Sequence, residues 1–326
     1  MMEKVKWGIL STAQIALTEL IPAIERAVNA EVTAIASRGP KVHPAAQELN
    51  IPRAYESYDE LLDDPDVQVI YIPLPNDLHK EWAMKAASAG KHVLCEKPVV
   101  LDAADLEEIL EHFAAHNCLF MEAFMYQFHP QHQRVKELIE AGEIGEVKLF
   151  RSSHSFLFEN RDGNIRMNKE QGGGALWDVG CYSLHAMQYH IRANVKSVHF
   201  TGQLDEQTGV DVSAFGIIEF ENNVTALIDC SFDMIERNEI EIVGTKGTIK
   251  VKHAFRPDVF GGDAKIIVTA PPVERTEYVQ GDIYKLEVEY FSRCILEKRN
   301  LHEQHHYSRN TTRLLLQAYK SLEANV

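Results

Sequence analysis

The sequence has no cysteines spaced as CxxC. Its five, Cys95, Cys118, Cys181, Cys230 and Cys294, are scattered. An odd, dispersed set excludes a disulfide framework and reads as buried small hydrophobes in a reducing compartment. Long apolar runs are missing too. Nothing approaches the roughly 18 residues of a membrane span, and Met1-Met2-Glu3-Lys4 leads into a strand without a signal-like apolar core. The expected location is the cytoplasm, with no membrane partner. Positive charge is also scarce: 33 Lys and Arg stand against 48 Asp and Glu, for a net charge of -15. Such a surface repels nucleic-acid backbones at long range, so no nucleic-acid partner is expected.

What is present is ordinary globular material, 45% apolar and 25% charged over 326 residues, enough for two domains. The first third alternates short β-branched runs, 5–10, 31–37, 67–74, 91–96 and 118–123, with helical patterns at 14–28, 42–50, 77–89 and 102–116. Near-continuous apolarity in those strands is what burial on both faces of a parallel sheet requires. The alternation therefore predicts a doubly wound α/β domain over 1–124. From 125 to 326 the pattern changes. A helix at 130–141 precedes a strand at 147–156, a glycine-opened helix at 175–190 and strands alternating apolar with polar, two of them linked by the turn Glu221-Asn222-Asn223. Helices near 282–297 and 308–323 complete an expected α+β second domain.

The nucleotide-binding turn lacks its glycines. In the fingerprint G-x-G-x-x-G they make the tight turn, admit pyrophosphate and let helix pack on strand; "WGILSTAQIA" has Ser11, Ala13 and Ala16 in those places. All three are small, but Ser11 and Ala13 have no easy access to positive φ. Alone, the stretch fits a nucleotide turn or a plain strand-turn-helix equally well. About 20 residues on, where a carboxylate would select NAD, the chain has Ser37-Arg38-Gly39. An arginine there accommodates the 2′-phosphate of NADP; a solvated loop arginine is the other reading.

"CEKPVV" ends a buried strand where α/β sheets hold ligands, so Lys97 either orients a substrate oxygen or snorkels beside Glu96. "GGGALWDVGCYSLH" sets three glycines before a helix, exposing N–H groups and leaving room for a ligand. Asp178, Tyr182 and His185 follow at i, i+4 and i+7 on one face. "HEQHH", His302 to His306, matches a zinc-hydrolase pattern by chance, in a polar link between two helices. No metal is expected.

"AGKHVLCEKP" together with "GGGALWDVGCYSLH", "MEAFMYQFHP" and "EIVGTKGTIKV" resembles the Gfo/Idh/MocA oxidoreductases over essentially the whole chain. With Tyr182 where many members carry histidine, it is similar to the branch holding dimeric dihydrodiol dehydrogenase, NADP-dependent xylose dehydrogenase and glucose-fructose oxidoreductase. The resemblance implies an N-terminal Rossmann sheet and a C-terminal α+β domain with a large, mostly antiparallel open sheet, used for substrate binding and for oligomerisation as a homodimer or homotetramer.

It further implies hydride transfer between a nicotinamide and a hydroxyl-bearing carbon of a sugar, polyol or trans-diol. Lys97, Tyr182 and Asp178 are the candidate catalytic residues. A phenol ionises near pH 10, so Tyr182 as acid/base calls for an ammonium, which Lys97 would supply; Asp178 would orient the substrate or the lysine. Candidate cofactor contacts are Ser11, Thr12, Ala13, Ile15, Ser37, Arg38, Leu74, Asn76, His79, Glu96 and Lys97, with NADP preferred over NAD. The alternative is a non-catalytic NAD(P) sensor on the same fold.

Overall fold

Strand β1 (Val5–Leu10) is buried except at Lys6, as its apolar run demands in a parallel sheet. A π-helical turn, Ala16–Leu20, then runs into α1 (Ile21–Arg26), followed by β2 (Ala30–Ala36) and α2 (Val42–Glu48). Next come β3 (Arg53–Tyr55), α3 (Tyr58–Leu62) and β4 (Val69–Ile72). The first part of the chain ends with α4 (His79–Ser88), β5 (His92–Cys95), α5 (Ala103–Ala115) and β6 (Phe120–Glu122). The six strands are all parallel in the order β3-β2-β1-β4-β5-β6, the doubly wound dinucleotide-binding arrangement. β3 and α3, only 3 and 5 residues long, fall below the length at which periodicity shows in a sequence.

Local chemistry sets the helix limits. Asp102 accepts from the Ala104 amide at 2.7 Å and caps α5, while Gly90 closes α4 at φ +73°. Ala83 and Ala87 of α4 and Ile109 and Phe113 of α5 join Ile70, Ile72 and Val93 of the sheet in one core.

Helix α6 (Pro130–Glu140) leads to β7 (Val147–Leu157), and a second π-helical turn, Leu176–Gly180, enters α7 (Cys181–His190). Seven strands follow: β8 (Val195–Leu204), β9 (Asp211–Phe220), β10 (Thr225–Ser231), β11 (Asp233–Gly244), β12 (Thr248–Lys252), β13 (Asp263–Ala270) and β14 (Val273–Gln280). With β7 they form one open sheet, β14-β13-β12-β11-β7-β10-β9-β8, antiparallel except for the β7–β10 pair. The β9–β10 hairpin turns at Asn223, φ +63°. The last helices are α8 (Ile283–Leu296) and α9 (His302–Ala324).

The structure, a computed structural model, describes residues 3–324. They divide into two compact units, one of residues up to Met125 with Tyr284–His306, the other of Tyr126–Ile283 with the residues from Tyr307 on. This departs from the expected division at 124/125 in one segment: Tyr284–His306 belongs with the parallel sheet. There the Trp7 indole donates to Ser292 Oγ at 3.1 Å and packs edge-on against Phe291, and Asn29 donates to the Glu289 carbonyl at 3.0 Å.

His302–His306 is also corrected, from a polar link to the start of α9, with His302, Glu303 and His306 exposed. Among the described residues no three His, Cys, Asp or Glu side chains gather as metal ligands, and no helix is long and apolar enough to cross a membrane.

Candidate active site

In the parallel-sheet unit, the turn after β1 sits at the carboxyl edge where the strand order reverses between β1 and β4. The Ser11 amide donates to the Ala36 carbonyl at 2.8 Å, tying the turn to the end of β2. Ser11 does what a glycine would do, at φ +102°, whereas Ala13 and Ala16 need no positive φ. Ser11, Thr12, Ala13 and Ile15 are partly exposed, and Ala16 is buried against the sheet. At the tip of β2, Ser37 is fully buried with its hydroxyl unpartnered, and Arg38 is exposed. Small, reachable turn residues with an exposed arginine beside them suit a dinucleotide carrying a 2′-phosphate.

Along the same edge, Leu74 is buried and Asn76 partly exposed after β4; Glu96 and Lys97 are half-buried after β5. Tyr71 donates to Glu96 Oε1 at 2.6 Å, and the Val99 amide donates to Glu122 at 3.1 Å, holding the strand ends. Burial pushes the Tyr71 phenol well above its ordinary range, so it stays a donor.

His79 is a correction. It is 0% exposed, its ring nitrogens lie 2.8 Å from the Leu74 carbonyl and 3.0 Å from the Pro98 carbonyl, and burial holds its pKa below the usual value. It clips the loop after β4 to the segment after Lys97 and offers no surface to a cofactor.

In the second unit, the three glycines make room for the protein itself. A Cβ on Gly173 would lie 2.6 Å from the Arg166 carbonyl, and one on Gly174, at φ +118°, would lie 2.0 Å from Asp211 Oδ1. The sequence left that space to a ligand; backbone and a carboxylate fill it.

Asp178 stands in the π turn, where its Oδ2 accepts from Arg166 Nε at 2.6 Å. Tyr182 is 6% exposed among the rings of Tyr126, His154 and Phe255, with centroids 5.9, 5.3 and 5.7 Å away. His185 Nδ1 lies 2.6 Å from the Tyr126 hydroxyl, and burial lowers the histidine to about 3. The expected stripe is thus divided: Tyr182 and His185 meet at Tyr126, while Asp178 is engaged by Arg166. Arg166, Tyr126, His154 and Asp211 were not foreseen; none stands at a motif spacing from the helix.

A family model described as the oxidoreductase family with an NAD-binding Rossmann fold matches residues 5–124, and one for the GFO/IDH/MocA C-terminal domain matches 132–250. The chain belongs to the GFO/IDH/MocA oxidoreductase family. Within the relatives of this GFO/IDH/MocA member, a D-xylose 1-dehydrogenase (NADP(+)) of Haloferax volcanii is 36% identical over 290 residues, covering 89% of this chain and 88% of the relative. A trans-1,2-dihydrobenzene-1,2-diol dehydrogenase of Xenopus tropicalis is 33% identical over 302 residues, 90% and 89% of the two chains. Among solved structures, a 3-ketoreductase of Actinomadura kijaniata in complex with NADP and TDP-benzene superposes with a TM-score of 0.92 at 27% identity, covering 98% of each chain. The parallel sheet, the mostly antiparallel open sheet and the oxidoreductase class all follow from this membership.

Proposed function

We propose that this oxidoreductase uses NADP to interconvert a hydroxyl-bearing carbon of a sugar, polyol or trans-diol and the corresponding carbonyl. The observation that carries the reading is the placement of Lys97, half-buried just past β5 at the ligand-binding edge of the Rossmann sheet, in a family of oxidoreductases. The relatives named for NADP, and Arg38 where a carboxylate would select NAD, support the cofactor choice. Ser11, Thr12, Ala13 and Ile15 would hold the pyrophosphate, Arg38 the 2′-phosphate, and Leu74, Asn76 and Glu96 the neighbouring part of the cofactor. When bound, the nicotinamide supplies a two-electron hydride acceptor or donor.

The chain's own residues handle the proton. In the oxidative direction the Tyr182 oxygen would accept the hydroxyl proton of a carbinol whose hydride the nicotinamide would take up, leaving a carbonyl. Lys97 would supply the positive charge that favours the ionised Tyr182 oxygen and would orient the substrate oxygen, and Asp178 would orient the substrate. A positioned acid/base of this kind accounts for roughly 10²–10⁴-fold in rate.

The five free, buried thiols suit a reducing cytoplasm as the proposed location. Homodimer or homotetramer formation is assigned to the outer face of the antiparallel sheet, where Phe215 and Ile217 are 37% and 48% exposed.

Calorimetric titration with NADP⁺ and NAD⁺, repeated on Arg38→Ala, tests the cofactor. NADP⁺ should bind tighter, and the loss of Arg38 should erase most of the difference. Lys97→Met and Tyr182→Phe should each lower kcat at least about a hundredfold on a responsive sugar or diol while leaving NADP⁺ affinity intact. Near-wild-type turnover in either would overturn the assignment.

A further inference from the structure

We propose that Asp211, held by Tyr319, is the positioning residue for the helix that carries Asp178 and Tyr182, and that it makes the placement of that helix depend on pH. The inference rests on the assignment of Tyr182 above.

Asp211 opens β9 and is 1% exposed. Its two oxygens have different partners, both donors: Oδ2 accepts from the Leu176 amide at 2.7 Å, and Oδ1 accepts from the Tyr319 hydroxyl at 2.5 Å. Leu176 is the first residue of the π turn, two residues before Asp178 and six before Tyr182. The first amides of a helix have no partner within it, so Asp211 supplies one from another element. Gly174 exists to admit this carboxylate, since a Cβ there would overlap Oδ1 and approach the Tyr319 hydroxyl at 2.8 Å. Trp177, between Leu176 and Asp178, stacks on Tyr319 with centroids 5.3 Å apart and rings inclined by 22°.

An amide side chain could have accepted the same backbone bond. A buried carboxylate is the more costly choice, and it has a property an amide lacks. Burial raises Asp211 to about 6, against the pull of the Tyr319 hydroxyl and the Leu176 and Ala175 amides. Both oxygens accept, so a proton on Oδ2 costs the Leu176 bond, and a proton on Oδ1 turns the Tyr319 hydroxyl from donor to acceptor, in competition with the Trp177 amide that already donates to its oxygen. The titratable and charged groups around it come from α9, β10 and α7. Tyr319 from α9 and Cys230 from β10 are both pushed well up by burial and remain neutral, Cys181 lies beside Cys230, and Asp229 is paired with Arg237.

The test pairs turnover with an optical signal. The kcat–pH profile of the whole enzyme with NADP⁺ and a responsive substrate should show an acid limb near pH 6, and Trp177 emission should titrate over the same range without substrate. In Asp211→Asn both transitions should vanish, with kcat several-fold lower and NADP⁺ affinity unchanged. In Tyr319→Phe, which removes a single oxygen and spares the fold, both transitions should move to higher pH because the donor that holds the carboxylate down is gone. Unchanged profiles and emission in Tyr319→Phe would overturn the proposal even if Asp211→Asn failed to fold. If emission follows Asp211 but the kcat limb does not move, the coupling to catalysis is overturned while Tyr182 keeps its assignment. Turnover surviving Tyr182→Phe would refute that assignment by itself.

Discussion

Arg166 donates from Nε to the Asp178 carboxylate at 2.6 Å, so the acid closest in sequence to Tyr182 on its helix is already held by a neighbour. Arg166 is 40% exposed and Asp178 17%, and a pair this open to water is worth about 0.5–1 kcal/mol. Its effect should lie in aiming the carboxylate. Arg166→Met should lower kcat/KM about two- to fivefold, and in a double-mutant cycle with Asp178→Asn the second substitution should add little. Full additivity of the two losses would show that the pair does not act on the substrate together.

Ser11 occupies φ +102°, a conformation that costs a residue with a side chain about 1–3 kcal/mol. Glycine removes that strain and gives back about 0.5–1 kcal/mol in extra freedom of the unfolded chain, so the relief wins. Ser11→Gly should raise stability by about 1 kcal/mol in urea unfolding and leave NADP⁺ affinity within a fewfold. A destabilised variant would mean that the serine side chain contributes more than its backbone costs.

Much of this site was legible because its signals are local. Unbroken apolar strands gave away a parallel sheet, and Lys97 could be placed at its carboxyl edge because strand ends are where such sheets bind. Distance in sequence hid the rest. Asp211 lies 35 residues from Leu176 and 108 from Tyr319, and no spacing rule reaches that far. Glycines at 172–174 report that something comes close, not what, so room filled by Asp211 and the Arg166 carbonyl read as room for a ligand. His79 carries a polar label, yet its burial between two carbonyls is visible only once α4 is packed. The segment 284–306 was misassigned because an amphipathic helix shows that it packs, but not on which sheet.

The self-association proposed for the outer face of the antiparallel sheet makes a specific demand on β9. Phe215 and Ile217 point away from the packed face, and Leu227 lies across from Ile217 on β10. An isologous contact places such a residue near its own symmetry mate, so one added charge is felt twice. Ile217→Arg should reduce the mass by light scattering to that of a single chain and leave the far-ultraviolet spectrum unchanged. An unaltered mass would move the interface elsewhere.

Acid should unfold this protein through its buried histidines. His132 and His185 are lowered from 6.5 to about 3 by burial, and His190 lies well below its usual value for the same reason. The tautomers agree with neutral rings: His132 Nε2 faces the Ala254 carbonyl at 2.7 Å, so its Nδ1 is left to accept from His190 Nε2 at 3.1 Å. A depressed folded pKa gives stability that is complete above the unfolded value of 6.5 and is lost as pH falls toward about 3. At pH 5 the loss is about 2 kcal/mol for each of His132 and His185. Asp211 and Glu287 are raised by burial and act in the opposite sense, binding protons in the folded state first. His79 and His92, lowered by burial, restore the balance toward loss. Urea unfolding should therefore show a net fall on the order of 3 kcal/mol between pH 7.5 and pH 5. Stability that held steady or rose on acidification would mean that the buried carboxyls, and not the imidazoles, govern the response.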